Sequence, residues 1–165
     1  MTKRILPFAL VALSCGVACT EPATRRTRDA AAPALEARLA LSDSAPRPGT
    51  PVRVVVQLTG EHSSDIASFT GRLRYDFASL RFVGEAPIDD GATRIWNPTP
   101  GVVRVGAIAA SGFRTGTLAA FDFLVLRANG TRSLALDVDE MHSIARRDVT
   151  ASLRVLDGTH DGRIH

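Results

Sequence analysis

The residue types able to do chemistry in this chain are few and scattered. Of its four histidines, His160 and His165 stand near the C-terminus, and His62 and His142 fall in or beside expected loops. A nucleophilic triad needs Ser or Cys, His and an acid brought together. The chain has no Gly-x-Ser-x-Gly elbow and no His-Glu-x-x-His helix. Its two cysteines, Cys15 and Cys19, crowd the N-terminus, which leaves no zinc set and no disulfide for the remainder. Two acidic clusters, Glu85/Asp89/Asp90 and Asp137/Asp139/Glu140, could supply oxygen ligands to calcium or the paired carboxylates of a glycosidase. Solvated loop acids are the commoner source of such clusters. Asp137 and Asp139 alternate with Leu136 and Val138, so they are expected simply to face water on an edge. No catalytic residue, metal site or cofactor is expected, and the chain reads as a non-enzyme.

Binding chemistry is better represented. A sugar platform wants exposed, flat rings that combine apolar area with a polar handle. The chain has one Trp, one Tyr and seven Phe. Phe69, Tyr75, Phe121 and Phe123 fall on core-facing positions. Trp96, beside Asn97, is left as the candidate sugar-stacking residue, with a Trp buried under a Pro-rich loop as the alternative. Of 20 basic residues only Lys3 is not Arg. Setting aside Lys3 and Arg4 leaves 18 basic against 17 acidic residues, a balance without the basic footprint of nucleic-acid binding.

The elements that must position these residues are strands. Residues 66–83 read IASFTGRLRYDFASLRFV. Phe69, Gly71, Leu73 and Tyr75 point one way and Ser68, Thr70, Arg72 and Arg74 the other, as in a strand with one face in a core. Residues 76–79 turn the chain, and residues 80–83 resume a short strand. Residues 35–41 and 51–58 give two earlier strands across a Pro/Gly-rich connection. Residues 94–96 give a short one before Asn97-Pro98-Thr99-Pro100-Gly101. Residues 102–109 place Val103, Val105 and Ala107 on one side and Arg104, Gly106 and Ile108 on the other. Residues 117–126 put Phe121, Phe123 and Val125 inward. Residues 134–138 and 150–156 complete the set. With no 3.6-residue period, the pattern predicts an all-β fold: a single jelly-roll β-sandwich of about nine strands.

Ahead of the domain, residues 1–18 read as an export signal, with Lys3 and Arg4 preceding an uncharged apolar run. The run falls short of the roughly 18 apolar residues of a spanning helix. Gly16-Val17-Ala18-Cys19 resembles a bacterial lipobox, although Gly16 stands where Leu is usual; an ordinary cleaved signal is the alternative. The resemblance implies lipidation at Cys19 and a place in the bacterial cell envelope. Thr20 in place of Asp favours an outer-membrane or cell-surface site. Residues 19–33, rich in Ala, Thr, Arg and Pro, are expected to be a flexible tether. The sandwich is expected over residues 34–157.

The run Phe-x-Gly-x-Leu-x-Tyr-Asp from Phe69 to Asp76, followed by Leu80-Arg81-Phe82-Val83, resembles the cohesin family. There a long strand ends in Tyr-Asp-Pro; here Phe77 takes the Pro position. The order of strands and the Gly-x-Leu-Ala-x-Phe-x-Phe-x-Val pattern from Gly116 to Val125 are also similar to that family, and related jelly-roll carbohydrate-binding modules share much of them. The resemblance implies a dockerin-bearing protein as partner, with a polysaccharide as the rival ligand. It also implies a docking face made of Ser68, Thr70, Arg72 and Arg74, of Arg104, Gly106 and Ile108, and of Ser111 and Gly112 in the adjoining turn. Many cohesins carry Asn and Asp where Ser68 and Thr70 stand, so partner choice is expected to differ. Residues 157–164 place Asp157, Asp161, Gly162 and Ile164 as the first, fifth, sixth and eighth positions of a calcium loop, the spacing that begins a dockerin repeat. The third position is Thr159 and the sequence stops before the twelfth. Residues 158–165 are therefore expected to form a disordered tail.

Overall fold

The computed structural model describes residues 35–160, with side chains through residue 156. The expected leader, Cys19 and the tether lie outside the described residues, as does the end of the expected tail. Nine strands run in order: β1 (Leu35–Leu41), β2 (Pro51–Thr59), β3 (Ile66–Arg74), β4 (Leu80–Glu85), β5 (Thr93–Thr99), β6 (Val102–Ile108), β7 (Thr117–Val125), β8 (Ala135–Ser143) and β9 (Leu153–His160). They form two sheets, one ordered β4-β7-β2-β1-β9 and the other β5-β6-β3-β8. The only helical segments among the described residues are three short 3₁₀ turns, and there is no α-helix among them. The architecture is the expected all-β jelly-roll sandwich.

Alternation explains the core. Val52, Val54, Val56, Phe121, Phe123 and Leu39 from one sheet meet Phe69, Leu73, Val103, Val105 and Met141 from the other, all buried. Tyr75 and Phe82 close the layer by packing edge-on against Phe123, at ring separations of 5.1 and 5.6 Å. The outer face of the first sheet is not bare. The segment after β4 folds over it, so that Ala86 and Ile88 cover Ala40, Val55 and Ala120, and Ala86 N–H donates to the Ala120 carbonyl at 2.9 Å. The β5-β6-β3-β8 sheet has no such cover among the described residues.

Three local devices shape that second sheet. The turn after β3 forms without proline, because the Asp76 carboxylate accepts from Ala78 N–H at 2.9 Å and from the Ser79 hydroxyl at 2.5 Å. These bonds, the Ser79 one first, hold the Asp76 carboxyl below its usual range. Pro100 and Gly101, the latter at φ 82°, give the β5–β6 hairpin the dihedral a type II turn requires at its third residue. The β3–β8 register slips between Thr70 and Gly71, leaving Asp139 as the extra residue of a bulge.

The final strand departs from the sequence reading. Residues 150–152 form a 3₁₀ turn, and β9 starts at Leu153 and continues to His160, past the expected boundary at residue 157. Its backbone pairs in parallel with β1, Thr159 opposite Leu39 and His160 opposite Ala40, because β1 offers a free edge there. Extended backbone over residues 157–160 is not the turn of a calcium loop.

Candidate docking face

The outward residues of β3, β6 and β5 come together on one open surface. Register sets Ser68 opposite Ile108, Thr70 opposite Gly106, Arg72 opposite Arg104 and Arg74 opposite Val102. On the far side of β6, Ile95 lies opposite Gly106 and Asn97 opposite Arg104. Thr70, Arg72, Arg74, Arg104 and Ile108 are exposed, and Ser68 and Gly106 are half-buried. A Cβ at Gly106 would lie 3.4 Å from Ile95 Cγ1 and 3.8 Å from Thr70 Cγ2, so Ile95 leans across Gly106 toward Thr70. Ile95 is 71% exposed and Ile108 63%, which makes an aliphatic step in the middle of a polar sheet. Ser111 is exposed in the adjoining turn. Gly112 is buried at φ 81°, and a Cβ there would collide with the Ser64 carbonyl, so its part is to shape the turn.

The arginines are not equivalent. Arg74 Nε lies 2.8 Å from Asp137 Oδ2, and Arg72 Nη2 lies 2.5 Å from Asp139 Oδ1. The acids of β8 thus do more than face water: they neutralise β3, and the Asp139 bulge brings the second carboxylate into reach. Arg104 has no ion pair among the described residues, and its cross-strand neighbour is another arginine. A shallow depression of about 320 Å³ lies here, lined by Thr70, Gly71, Arg72, Arg104, Val105 and Asp139.

Two other side chains stand apart from this surface. Trp96 sits opposite Val105, on the core-facing side of edge strand β5, and escapes to 42% exposure at the flank; it does not share a surface with Thr70 and Ile95. Asp90 is not a solvated loop acid. Its carboxylate takes both arms of Arg94, at 2.9 and 2.6 Å, with side chains only 2% and 5% exposed. The Arg94 hydrogen bonds, ahead of any other influence, hold the Asp90 carboxyl below its ordinary range. Arg94 also donates to the Leu118 and Thr117 carbonyls at 2.9 and 3.1 Å, which ties edge strand β5 to β7 in the opposite sheet.

The remaining chemistry is sparse. Among the described residues no three His, Cys, Asp or Glu side chains are grouped to hold a metal. A cavity of about 670 Å³ at one end of the sandwich includes His62, Asp65, Asp148 and Ser143 in its lining. His62 Nδ1 lies 3.1 Å from Asp65 Oδ2, both side chains well exposed, and among the described residues no serine hydroxyl bonds to that histidine. The arrangement lacks an activated nucleophile.

By sequence the chain matches no family profile and no curated relative. By structure it is similar to cohesin domains. The second type II cohesin module of the ScaA scaffoldin of Acetivibrio cellulolyticus aligns with a TM-score of 0.60 at 12% identity, over 76% of this chain and 88% of that one. A non-cellulosomal cohesin from the archaeon Archaeoglobus fulgidus aligns at 0.57 and 18% identity, over 73% and 85%. The sixth cohesin of Acetivibrio cellulolyticus scaffoldin B, crystallised in complex with a dockerin mutant, aligns at 0.57 and 17%, over 74% and 96%. The shared feature is the fold.

Proposed function

We propose that this domain is a non-catalytic docking module that receives a dockerin-bearing protein on the outer face of the β5-β6-β3-β8 sheet. The observation that carries the reading is the contrast between the two sheets. One is covered over Ala40, Val55 and Ala120 by its own chain at Ala86 and Ile88, leaving Val83 exposed on edge strand β4, whereas the other leaves Ile95 and Ile108 projecting from adjoining strands of a polar surface. Exposed aliphatics at the centre of a polar-rimmed patch mark interaction surfaces. Cohesin structures solved with dockerins share the fold. In the same reading, lipid on Cys19 and a tether of residues 19–33 hold the domain at a bacterial cell surface, where a docked partner could work on polysaccharide.

The test is a panel of purified dockerins presented to the soluble domain, set beside a pull-down on insoluble polysaccharides. Saturable capture of a dockerin, lost in Ile108→Asp without a change in melting, is expected. Capture by polysaccharide, lost in Trp96→Ala, would replace the reading with sugar binding on the β5 flank.

A further inference from the structure

We infer that the partner segment read by this face is acidic, and that Arg104 is the residue that reads it, through a partner carboxylate set beside an aliphatic side chain. The inference rests on the docking reading above and adds the chemistry of what docks.

Arg72 and Arg104 are directly opposed across β3 and β6. Like charges so placed on neighbouring strands repel. Asp139 relieves Arg72, and Asp137 relieves Arg74, but no carboxylate among the described residues reaches Arg104. On its other side, β5 brings only Asn97 level with Arg104. The depression between the two arginines therefore holds a guanidinium whose five donors have no protein acceptor among the described residues. A carboxylate entering there would gain a planar two-pronged partner and remove the repulsion with Arg72. A lysine or arginine on the partner would meet the opposite: positive charge on Arg104, with Asp139 already engaged.

Geometry adds the second half of the signature. Arg104, Gly106 and Ile108 follow one another at alternate positions of β6, roughly 7 Å apart per step. Ile95 overlies Gly106, so the aliphatic step begins one such stride from Arg104. The matching segment carries Asp or Glu about 7 Å from a Leu, Ile or Val.

The experiment is a displayed library of dockerins with randomised exposed positions, sorted on the wild-type domain and on Arg104→Glu at low and high salt. Binders enriched in Asp or Glu next to an aliphatic residue on wild type, with the charge preference inverted on Arg104→Glu, are expected. Those acidic binders should weaken at least 10-fold on Arg104→Glu and lose affinity with added salt. Binders dominated by Lys or Arg on wild type, or unchanged by the swap, would overturn the acidic partner while leaving the docking reading intact. A library with no binder at all would sink both. Concentration-dependent dimers of the domain alone, abolished by Arg104→Glu, would assign the face to a second copy of the chain and overturn the inference.

Discussion

The Asp90–Arg94 pair is the perturbation from which most can be learned, because it links stability to the candidate face. The two side chains are 2% and 5% exposed, and Arg94 satisfies the Leu118 and Thr117 carbonyls besides Asp90. Removing Asp90 leaves a buried guanidinium without its counter-charge, a loss of about 3–5 kcal/mol. Removing Arg94 strands the carboxylate, whose remaining bond is from Ala92 N–H, and also two carbonyls, each worth about 1–3 kcal/mol when left unpaired. Arg94→Ala is thus expected to cost at least as much as Asp90→Ala, and either is a large part of a domain's total of about 5–15 kcal/mol. Replacing both with apolar residues, Asp90→Leu with Arg94→Met, should cost clearly less than the two single losses added, since neither charge is left alone. Urea melts of the four proteins at neutral pH supply the numbers. The acid limb gives an independent check. Asp90 has a depressed folded pKa, so its contribution is present above the unfolded carboxyl range near ~3.9 and is lost as pH falls through the folded value. The gap between wild type and Asp90→Asn should therefore hold at neutral pH and close only below about pH 4. Single variants that each cost under about 1 kcal/mol, or a gap that closes near pH 6, would refute the buried pair.

Three further outcomes follow from packing. Leu73, fully buried at the centre of β3, should cost about 2–5 kcal/mol as Leu73→Ala, whereas Thr70→Ala on the exposed face should cost well under half of that in the same melts. Gly71→Ala would place a Cβ 2.7 Å from the Asp137 carbonyl and 2.9 Å from Phe69 Cζ, so β8 must shift, at about 1–3 kcal/mol; Gly84→Ala meets nothing within 4 Å and should stay within about 0.5 kcal/mol. Deleting residues 158–165 removes the Thr159 and His160 pairing with β1 and should lower stability by about 1–2 kcal/mol, by the same amount with and without calcium.

Where side chains alternate without interruption, residue order was enough to find the fold. β6, and β3 from Phe69 onward, carry an unbroken period of two, so their core and solvent faces are legible directly. Bulges defeat that reading. After Val138 the extra residue Asp139 shifts the phase, and Met141 becomes the next buried side chain, so the alternation stops before the strand does. β5 runs beyond its expected residues 94–96 for another reason. Pro98 cannot donate to a ladder, yet an edge strand has a side where no donor is needed, and the strand runs through it to Thr99. β9 outruns its expected end because Asp157, Gly158 and Thr159, which have the composition of a tail, are drawn into the sheet by a partner edge on β1 that the sequence does not show.

The site was legible only strand by strand. Ile95 falls in a short expected strand beside Trp96, and nothing local shows that Gly106 will lie opposite and leave it room. Arg72, Arg74 and Arg104 looked alike until the register of β8 gave carboxylates to the first two. That difference also separates docking from the plainer role of keeping an exposed sheet soluble. Solubility needs positive charge and is indifferent to its shape, so it predicts that Arg104→Lys behaves as wild type in every assay. A docked carboxylate held by the planar fork of a guanidinium is not held equally by a flexible ammonium. Arg104→Lys should therefore keep its melting curve and its solubility but lose about 1–2 kcal/mol in affinity for an acidic dockerin, roughly a 5- to 30-fold rise in Kd by titration. Full affinity in Arg104→Lys, with aggregation in Arg104→Gln, would return this arginine to a solvating role and leave the face to its two isoleucines.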